Sequence, residues 1–535
     1  MSQISHQADP WLPSRRGSGR SGWPDFMNPR RAAVWTVAAL VAGSAPVFFR
    51  TFLTDMDFYT HVADKLLHGG VLYRDAIDTK PPAIFFHYAL VFRLFGENNV
   101  AAVKVVTIAF AVLTAVAVGA IWRELFDGRR APVASLLFAF ATVSGWGPDF
   151  LSSNTEILAN LFIAGGVYCL CKDAFTRRRR WLFAAGVFIG TAFLYRFQSG
   201  APLAAYFLLL VLQRRSIPSI AGRLWPIALG FALPSAAVIA VYAAMGALPA
   251  LADFLRYDYY YVRGGAIYWP ALLAQAAIVL VSQVVFLALA LSQAGRIVRH
   301  RIGAAAGLPS EADLFLVLWL GWTVLSFFAG GRFFAHYFVQ AVPVVVLLAT
   351  ARLTAGGAAS VRDSLRETRA SALFRWALVL IPVHAALFTI VNGVFLWQTR
   401  EPANPYPALV SFARAHTSKA DPIFVWTSRT HVLFDMDRIY ATRFISNDFL
   451  VGRMYGTRHR LASATADSAR VASVRELWPL LLHDLESDPP RLIIDDTREH
   501  SNFTLDHYPE LQAFVERRYE PCRPLDGFCV YVRRP

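Results

Sequence analysis

The chain has 535 residues, of which 56% are hydrophobic and 17% charged, and it carries a formal net charge of +15. Its positive mean hydropathy and repeated apolar runs of about 15 to 24 residues exclude a soluble globule and define a polytopic α-helical membrane protein. The excess of Lys and Arg does not point to nucleic acid, because these residues sit mainly in short blocks between apolar runs and form no basic domain.

In chain order, residues 1–31 are polar and Arg-rich and lack the short apolar core and small-residue cleavage site of a signal peptide. They read as a cytoplasmic tail ahead of an uncleaved anchor. Spans are expected near residues 32–52, 99–122, 131–147, 155–171, 181–197, 199–213, 224–245, 270–292, 313–329, 337–352 and 375–397. With the N-terminus inside, the basic blocks at 122–130, 172–180, 213–216, 296–301 and 351–369 all fall in the cytoplasm. A further apolar piece, 81–95, would reverse every later block if it crossed. It is also short for a span, so it is expected to lie along the outer interface, making 53–98 an outer loop with juxtamembrane helices. The membrane part then runs from 32 to 397.

The outer face collects that acidic first loop, the turn at 147–156, the tip at 195–200, the loop at 253–269 and the segment 330–337. The tyrosines and the tryptophan between Tyr257 and Trp269 suit an interfacial anchor in the headgroup belt, with stacking on a sugar ring as the rival. After Trp397 the hydropathy changes, and residues 398–535 suffice for a soluble periplasmic α/β domain. Strands are expected within 421–428 and 491–497 and a helix over 469–487. Cys522 and Cys529 flank Asp526-Gly527, a favoured hairpin turn; in an oxidising compartment they suit a disulfide, and otherwise two free thiols. Cys169 and Cys171 lie within a span and read as small core residues.

No glycine-rich phosphate loop, HExxH, paired CxxC or GxSxG is present. The chemistry on offer is carboxylates, one lysine, and Arg and His at an outer membrane face, where ionisable groups are costly and usually functional. A carboxylate there can accept a proton from a hydroxyl. A neighbouring cation can hold a phosphate leaving group as its bond breaks. Together they describe transfer of a group off a lipid phosphate. The acidic cluster also suits a hard divalent cation, although no spacing demands one.

TDMDFY (54–59), ADKLLHGGVLYRD (63–75) and DTKPPAIFFHYALVFRLFG (78–96) resemble the first-loop signature of the bacterial dolichyl-phosphate-mannose-protein mannosyltransferase-like glycosyltransferases, a group with the GT-C membrane fold that includes aminoarabinose transferases acting on lipid A. SNTE (153–156), FLYRFQSG (193–200) and RFFAHYFVQAVP (332–343) resemble further landmarks, so the likeness spans most of residues 30–400. Two departures stand out. Asp55-Met56-Asp57 replaces the Asp-Glu of many relatives, and Arg196 stands where relatives often carry lysine.

The apolar runs give about eleven spans, and the resemblance implies that they form a GT-C-like bundle with a polyprenyl-phosphate sugar as donor and transfer by inversion to lipid A, a glycan or a protein. It implies Asp55 as the base, with Asp57 as the alternate, and Lys80, Arg332, His336 and Arg196 as phosphate ligands. Glu156 and Gln198 are its acidic and polar site residues. Each residue has a plainer reading. Asp55 and Asp57 can cap the helix that follows, and Lys80 can snorkel to the interface. Glu156 can serve a helix dipole or pair with Arg196, and His336 can bond to backbone. The competing functions are a lipid or solute transporter or flippase, and a polymerase or ligase of lipid-linked glycans; the former predicts mid-membrane charges and repeated broken helices.

Overall fold

The structure, a computed structural model, describes residues 28–126, 128–176, 178–263, 269–302, 310–328, 333–354, 364–402, 405–452, 474–497 and 503–535. The membrane part begins with α1 (Pro29–Ser44), α2 (Met56–Leu67), α3 (Ala83–Phe95), α4 (Val100–Leu125) and α5 (Ala131–Ser144). The short α6 (Gly147–Phe150) leads into α7 (Thr155–Thr176), α8 (Arg179–Tyr195), α9 (Ala201–Leu212) and α10 (Ile217–Ala244). It closes with α11 (Leu248–Arg263), α12 (Trp269–Ile302), α13 (Glu311–Ser326), α14 (Val342–Thr354) and α15 (Ser364–Gln398). Each expected span overlaps one of these helices, with 32–52 and 337–352 running in part through the 3-10 segments Ala45–Phe49 and Ala335–Ala341. Among the described residues, seven segments are long and apolar enough to cross a membrane. By contrast α5, α8, α9 and α13 have 14, 17, 12 and 16 residues and pack between the longer ones.

Small residues set the closest helix approach. A Cβ on Gly186 or Gly190 of α8 would run into the backbone of α10, and one on Gly230 of α10 would run into α8. Such close backbone contact is how helices associate where no hydrophobic drive separates lipid from protein. Lipid-facing positions carry the exposed apolar side chains, such as Leu229, Leu233 and Ile239 on α10.

Charge divides the bundle into two ends. The connections bearing Arg129, Arg130, Arg179, Arg180, Arg214 and Arg215 lie at one end. Arg130 donates there to the Thr354 carbonyl at 2.6 Å, Lys172 pairs with Glu124 at 2.8 Å, and Arg223 pairs with Asp173 at 2.7 Å. The first loop is at the opposite end. In it α3 has 13 residues, too few to cross, and leaves a stripe of Phe86, Leu90 and Leu94 exposed while Phe85, Tyr88 and Phe92 are buried. That is the pattern of a helix lying at an interface.

Two expectations need correction. The segment read as an outer loop at 253–269 is helical as far as Arg263. Ala250, Phe254 and Tyr257 recur at helical spacing and are buried. In the C-terminal part the helix expected over 469–487 begins later: a 3-10 turn at Arg475–Leu477 precedes the helix Trp478–Ser487, whose first turn holds Pro479. Proline fits that first turn and obstructs helix upstream of it; residues 469–473 lie outside the described ones.

Beyond α15 come α16 (Pro407–His416), β1 (Phe424–Trp426), α17 (His431–Met436), α18 (Asp448–Val451), α19 (Trp478–Ser487), β2 (Leu492–Asp495), α20 (Pro509–Arg518), β3 (Arg523–Leu525) and β4 (Phe528–Val532). The sheet order is β1-β2-β4-β3, with β1 parallel to β2 and the other pairs antiparallel. All four β2 residues are buried, as expected for a central strand. The β3–β4 hairpin turns at Asp526 and Gly527, both at positive φ (50° and 82°), and a disulfide joins Cys522 to Cys529 across it. Cys169 and Cys171 are free and buried in α7.

Candidate active site

At the end of the bundle away from the basic connections, the first loop and the C-terminal unit enclose a cavity of about 680 Å³. Asp55, Asp57, Asp78 and Lys80 line it from the first loop. Asp149 and His336 line it from the membrane part, and Arg429, His431 and Asp448 from the C-terminal unit.

The turn before Asp55 is held from the side. Thr54 adopts a positive φ of 43°, which is uncommon for a threonine, and three contacts from one neighbouring segment hold it there. Its hydroxyl shares a 2.7 Å hydrogen bond with the Ser152 hydroxyl and accepts from Asn154 Nδ2 at 2.9 Å, while Ser152 also donates to the Leu53 carbonyl at 3.1 Å. Asp55 therefore occupies the position preceding α2, yet its carboxylate caps no helix amide. It lies 3.2 Å from Lys80 Nζ and accepts from the Tyr59 hydroxyl at 3.3 Å.

Lys80 is aimed by backbone. Asp78 Oδ1 accepts from the amides of Thr79 (2.6 Å) and Lys80 (2.9 Å), and the Lys80 carbonyl accepts from Tyr73 Oη at 2.7 Å. Pro81 follows and restricts Lys80 to extended backbone. The side chain is 31% exposed and engaged with Asp55, so it is not a plain lipid-interface anchor.

The electrostatics separate the two candidate bases. Burial alone would push Asp55 up, but the Lys80 ammonium, aided by His336, holds it below the ordinary carboxylate value. Lys80 in turn stays protonated well above the ordinary lysine value: burial opposes its charge, but Asp55, Tyr59 and Asp78 outweigh it. Asp57 differs. Burial pushes it up to about 6 against the hydrogen bond from Thr430, and the charge on Asp55 adds to the rise.

The remaining expected residues divide into a cavity group and a supporting group. His336 lines the cavity, stacks on Phe334 with ring centroids 5.3 Å apart, and donates Nδ1–H to Asp149 at 3.2 Å. Asp149 lies on α6, whose preceding turn is clamped by Asn392 of α15: the side chain accepts from the Gly147 amide at 2.8 Å and donates to the Gly145 carbonyl at 2.9 Å. Arg196, Glu156 and Gln198 are absent from the cavity lining. Arg196 forms an ion pair with Glu156, lies 3.7 Å over the Tyr337 ring and donates to Gln198 at 3.1 Å. Glu156 also approaches His336 Nε2 at 3.9 Å, so this buried group supports the cavity wall from behind. The pairing of Glu156 with Arg196 is thus realised, and it occupies the guanidinium that the resemblance assigned to phosphate. Arg332 lies outside the described residues.

Sequence reasoning missed Asp149 as a site residue, although it stands in the outer turn already singled out, and it missed Arg429, His431 and Asp448 altogether. Nothing in SRTH (428–431) or NDF (447–449) marks a site; only the fold brings those segments to the first loop. Elsewhere Asp64, His68 and Glu97 place ligand-type atoms within 4.8 Å of one another at the exposed end of α2. His68 is paired there with Glu97 at 3.2 Å.

The site thus lies where a small α/β unit roofs one end of a polytopic bundle. Residues 79–242 match the family model for dolichyl-phosphate-mannose-protein mannosyltransferase. Among solved structures the chain is similar to ArnT from Cupriavidus metallidurans bound to undecaprenyl phosphate, with a TM-score of 0.59 at 13% identity over 94% of this chain and 98% of that one. The apo form of the same protein gives 0.58 at 14% identity, covering 93% and 97%. The Archaeoglobus fulgidus oligosaccharyltransferase tethered to an acceptor peptide gives 0.53 at 12% identity, covering 96% of this chain and 75% of that one. No curated protein sequence matches the chain significantly. The chain therefore has the GT-C architecture and is a multi-pass membrane protein.

Proposed function

We propose that the chain is a membrane glycosyltransferase that moves a sugar from a polyprenyl phosphate to a hydroxyl acceptor with inversion. The observation that carries this is the Asp55–Lys80 pair, a carboxylate and an ammonium 3.2 Å apart on the wall of a cavity at one end of a membrane bundle. The family match over residues 79–242, which begins beside Lys80, supports it.

In the reaction the acceptor oxygen bonds to the anomeric carbon as the bond from that carbon to the phosphate oxygen breaks. The bonding pair leaves with the polyprenyl phosphate, and Asp55 takes the hydroxyl proton. Lys80 couples the two events. In the resting site it holds Asp55 as a weak base; an arriving phosphate competes for the ammonium, and Asp55 grows more basic as it loses that partner. His336 flanks the same cavity, and Arg332 joins the phosphate ligands on the sequence resemblance. General-base help of this kind is worth roughly 10²- to 10⁴-fold. Asp57 is the second candidate base, because burial brings it to about 6, nearer neutrality.

The basic connections at one end and the site at the other support a bacterial inner-membrane orientation with the N-terminus cytoplasmic and residues 398–535 periplasmic. The acceptor is lipid A, a glycan or a protein. The test uses purified protein in proteoliposomes with a panel of polyprenyl-phosphate sugars and membrane extract, following free polyprenyl phosphate by mass spectrometry. Acceptor-dependent release is expected with one donor class; no release with any donor sinks the reading in favour of transport or assembly.

A further inference from the structure

The C-terminal unit reaches α2 at one buried residue beside the reacting pair. Thr430, in the turn between β1 and α17, has no exposed surface and donates its hydroxyl to Asp57 Oδ2 at 2.7 Å. Its carbonyl accepts from His61 Nε2 at 2.9 Å. Asp57 and His61 are four residues apart on α2, so they share one helix face, and a single threonine grips that face through both its hydroxyl and its carbonyl. The other oxygen, Asp57 Oδ1, accepts the Phe58 amide at 3.0 Å. Both oxygens of Asp57 are thereby occupied, while Asp55, two residues earlier, keeps the Lys80 ammonium.

We propose that Thr430 is a positioning residue for the transfer: its hydroxyl holds Asp57 ionised and turned toward the C-terminal unit, and its grip on α2 keeps Asp55, two residues earlier, against Lys80. This rests on Asp55 and Lys80 being the reacting pair. The physical reason is burial: Asp57 is desolvated and lies beside the charge on Asp55, so it needs a donor of its own to stay ionised. Asp55 acts on Asp57 from the acidic side, and Asp78, Lys80, Arg429 and His431 share its cavity. Asp149, His336, Asp448, Arg50, Glu401, Tyr261 and Tyr406 complete the titratable groups lining that cavity, and Tyr88 of α3 feels the charge on Asp57. Burial works against the charge and the Thr430 hydroxyl works for it, so loss of the hydroxyl moves Asp57 further up.

The test compares full-length wild type, Thr430→Val and Thr430→Ser in proteoliposomes, measuring kcat/KM against pH with the donor that the wild type uses. Thr430→Val is expected to move the acid limb up by about half a pH unit or more, losing more activity at pH 6 than at pH 8, and Thr430→Ser restores the wild-type limb. A Thr430→Val profile that is scaled down equally at every pH overturns the proposal and leaves Thr430 a purely structural contact. Wild type that releases no lipid phosphate from any donor sinks the proposed function, and the Thr430–Asp57 contact is then read from melting temperatures against pH in detergent. There the gap between Thr430→Val and wild type is expected to widen as pH rises through 6, because the hydroxyl stabilises the ionised form. A gap that does not depend on pH, or one that persists unchanged in an Asp57→Asn background, contradicts it.

Discussion

Replacing Lys80 with methionine keeps the length of the side chain and removes its charge, which separates its role in binding from its role in folding. In the folded protein Lys80 Nζ lies 3.2 Å from Asp55, and the two side chains are 31% and 32% exposed. A pair only partly withdrawn from solvent is screened, and contributes about 0–1 kcal/mol to stability. Its contribution to a bound phosphate is larger, because a hydrogen bond to a charged group is worth about 1.5–3 kcal/mol. At about 1.4 kcal/mol per decade that is a 10- to 150-fold weaker Kd. The variant is therefore expected to melt close to wild type while binding polyprenyl phosphate at least tenfold more weakly. The acid limb of any residual turnover should also move up, since Asp55 loses the cation that holds it down and keeps the burial that pushes it up. Titration of polyprenyl phosphate into nanodisc-embedded protein, followed by intrinsic fluorescence, reads the Kd, and thermal unfolding reads the fold. A wild-type Kd in a folded Lys80→Met protein would refute the assignment of the phosphate site. Lys80→Arg should fall between the two, since it keeps the charge and changes the geometry.

Three further outcomes follow from the same contacts. Glu156→Ala strands the buried Arg196 guanidinium and should destabilise the protein by about 3–5 kcal/mol, whereas adding Arg196→Met should recover part of that loss; thermal unfolding of the single and double variants checks it, and a double variant no better than the single contradicts it. His61 is held neutral down to about 4 by burial, against the bond to the Thr430 carbonyl. Its folded value lies below its unfolded one, so stability should fall as pH drops from about 6.5 to 4, and His61→Asn should flatten that part of a melting-temperature profile; an unchanged slope argues that His61 does not report this burial. Gly527→Val places a β-branched residue at a φ of 82° in the β3–β4 turn and should lower stability by more than about 1 kcal/mol, read by thermal unfolding under oxidising conditions, with an unshifted melt counting against the turn assignment.

Most of the membrane architecture was legible in the sequence because apolar length and basic punctuation are local properties. The spans at 99–122 and 224–245 correspond to α4 and α10, and the short run at 81–95 to α3. Helix over 248–263 was harder to see, since tyrosines and charged residues disguise an apolar face that exists only at helical spacing. The late start of the helix near Trp478 follows from Pro479, a local signal that the apolar pattern outweighed. For the site, Asp55 and Lys80 belong to one loop and were within reach of pattern reasoning; their 3.2 Å pairing was not, because it depends on the turns built by Asp78 and Thr54. The contact of Thr430 with Asp57 joins residues 373 positions apart, a separation that no local pattern encodes.

The central claim is that Asp55 removes the acceptor proton as the sugar leaves its lipid phosphate. The most direct measurement is single-turnover release of polyprenyl phosphate in proteoliposomes with saturating donor and acceptor, comparing wild type with Asp55→Asn at equal folded protein. Loss of roughly 10²-fold or more in rate, with donor binding retained, is the predicted result. Release by Asp55→Asn at the wild-type rate contradicts the account and passes the role of base to Asp57.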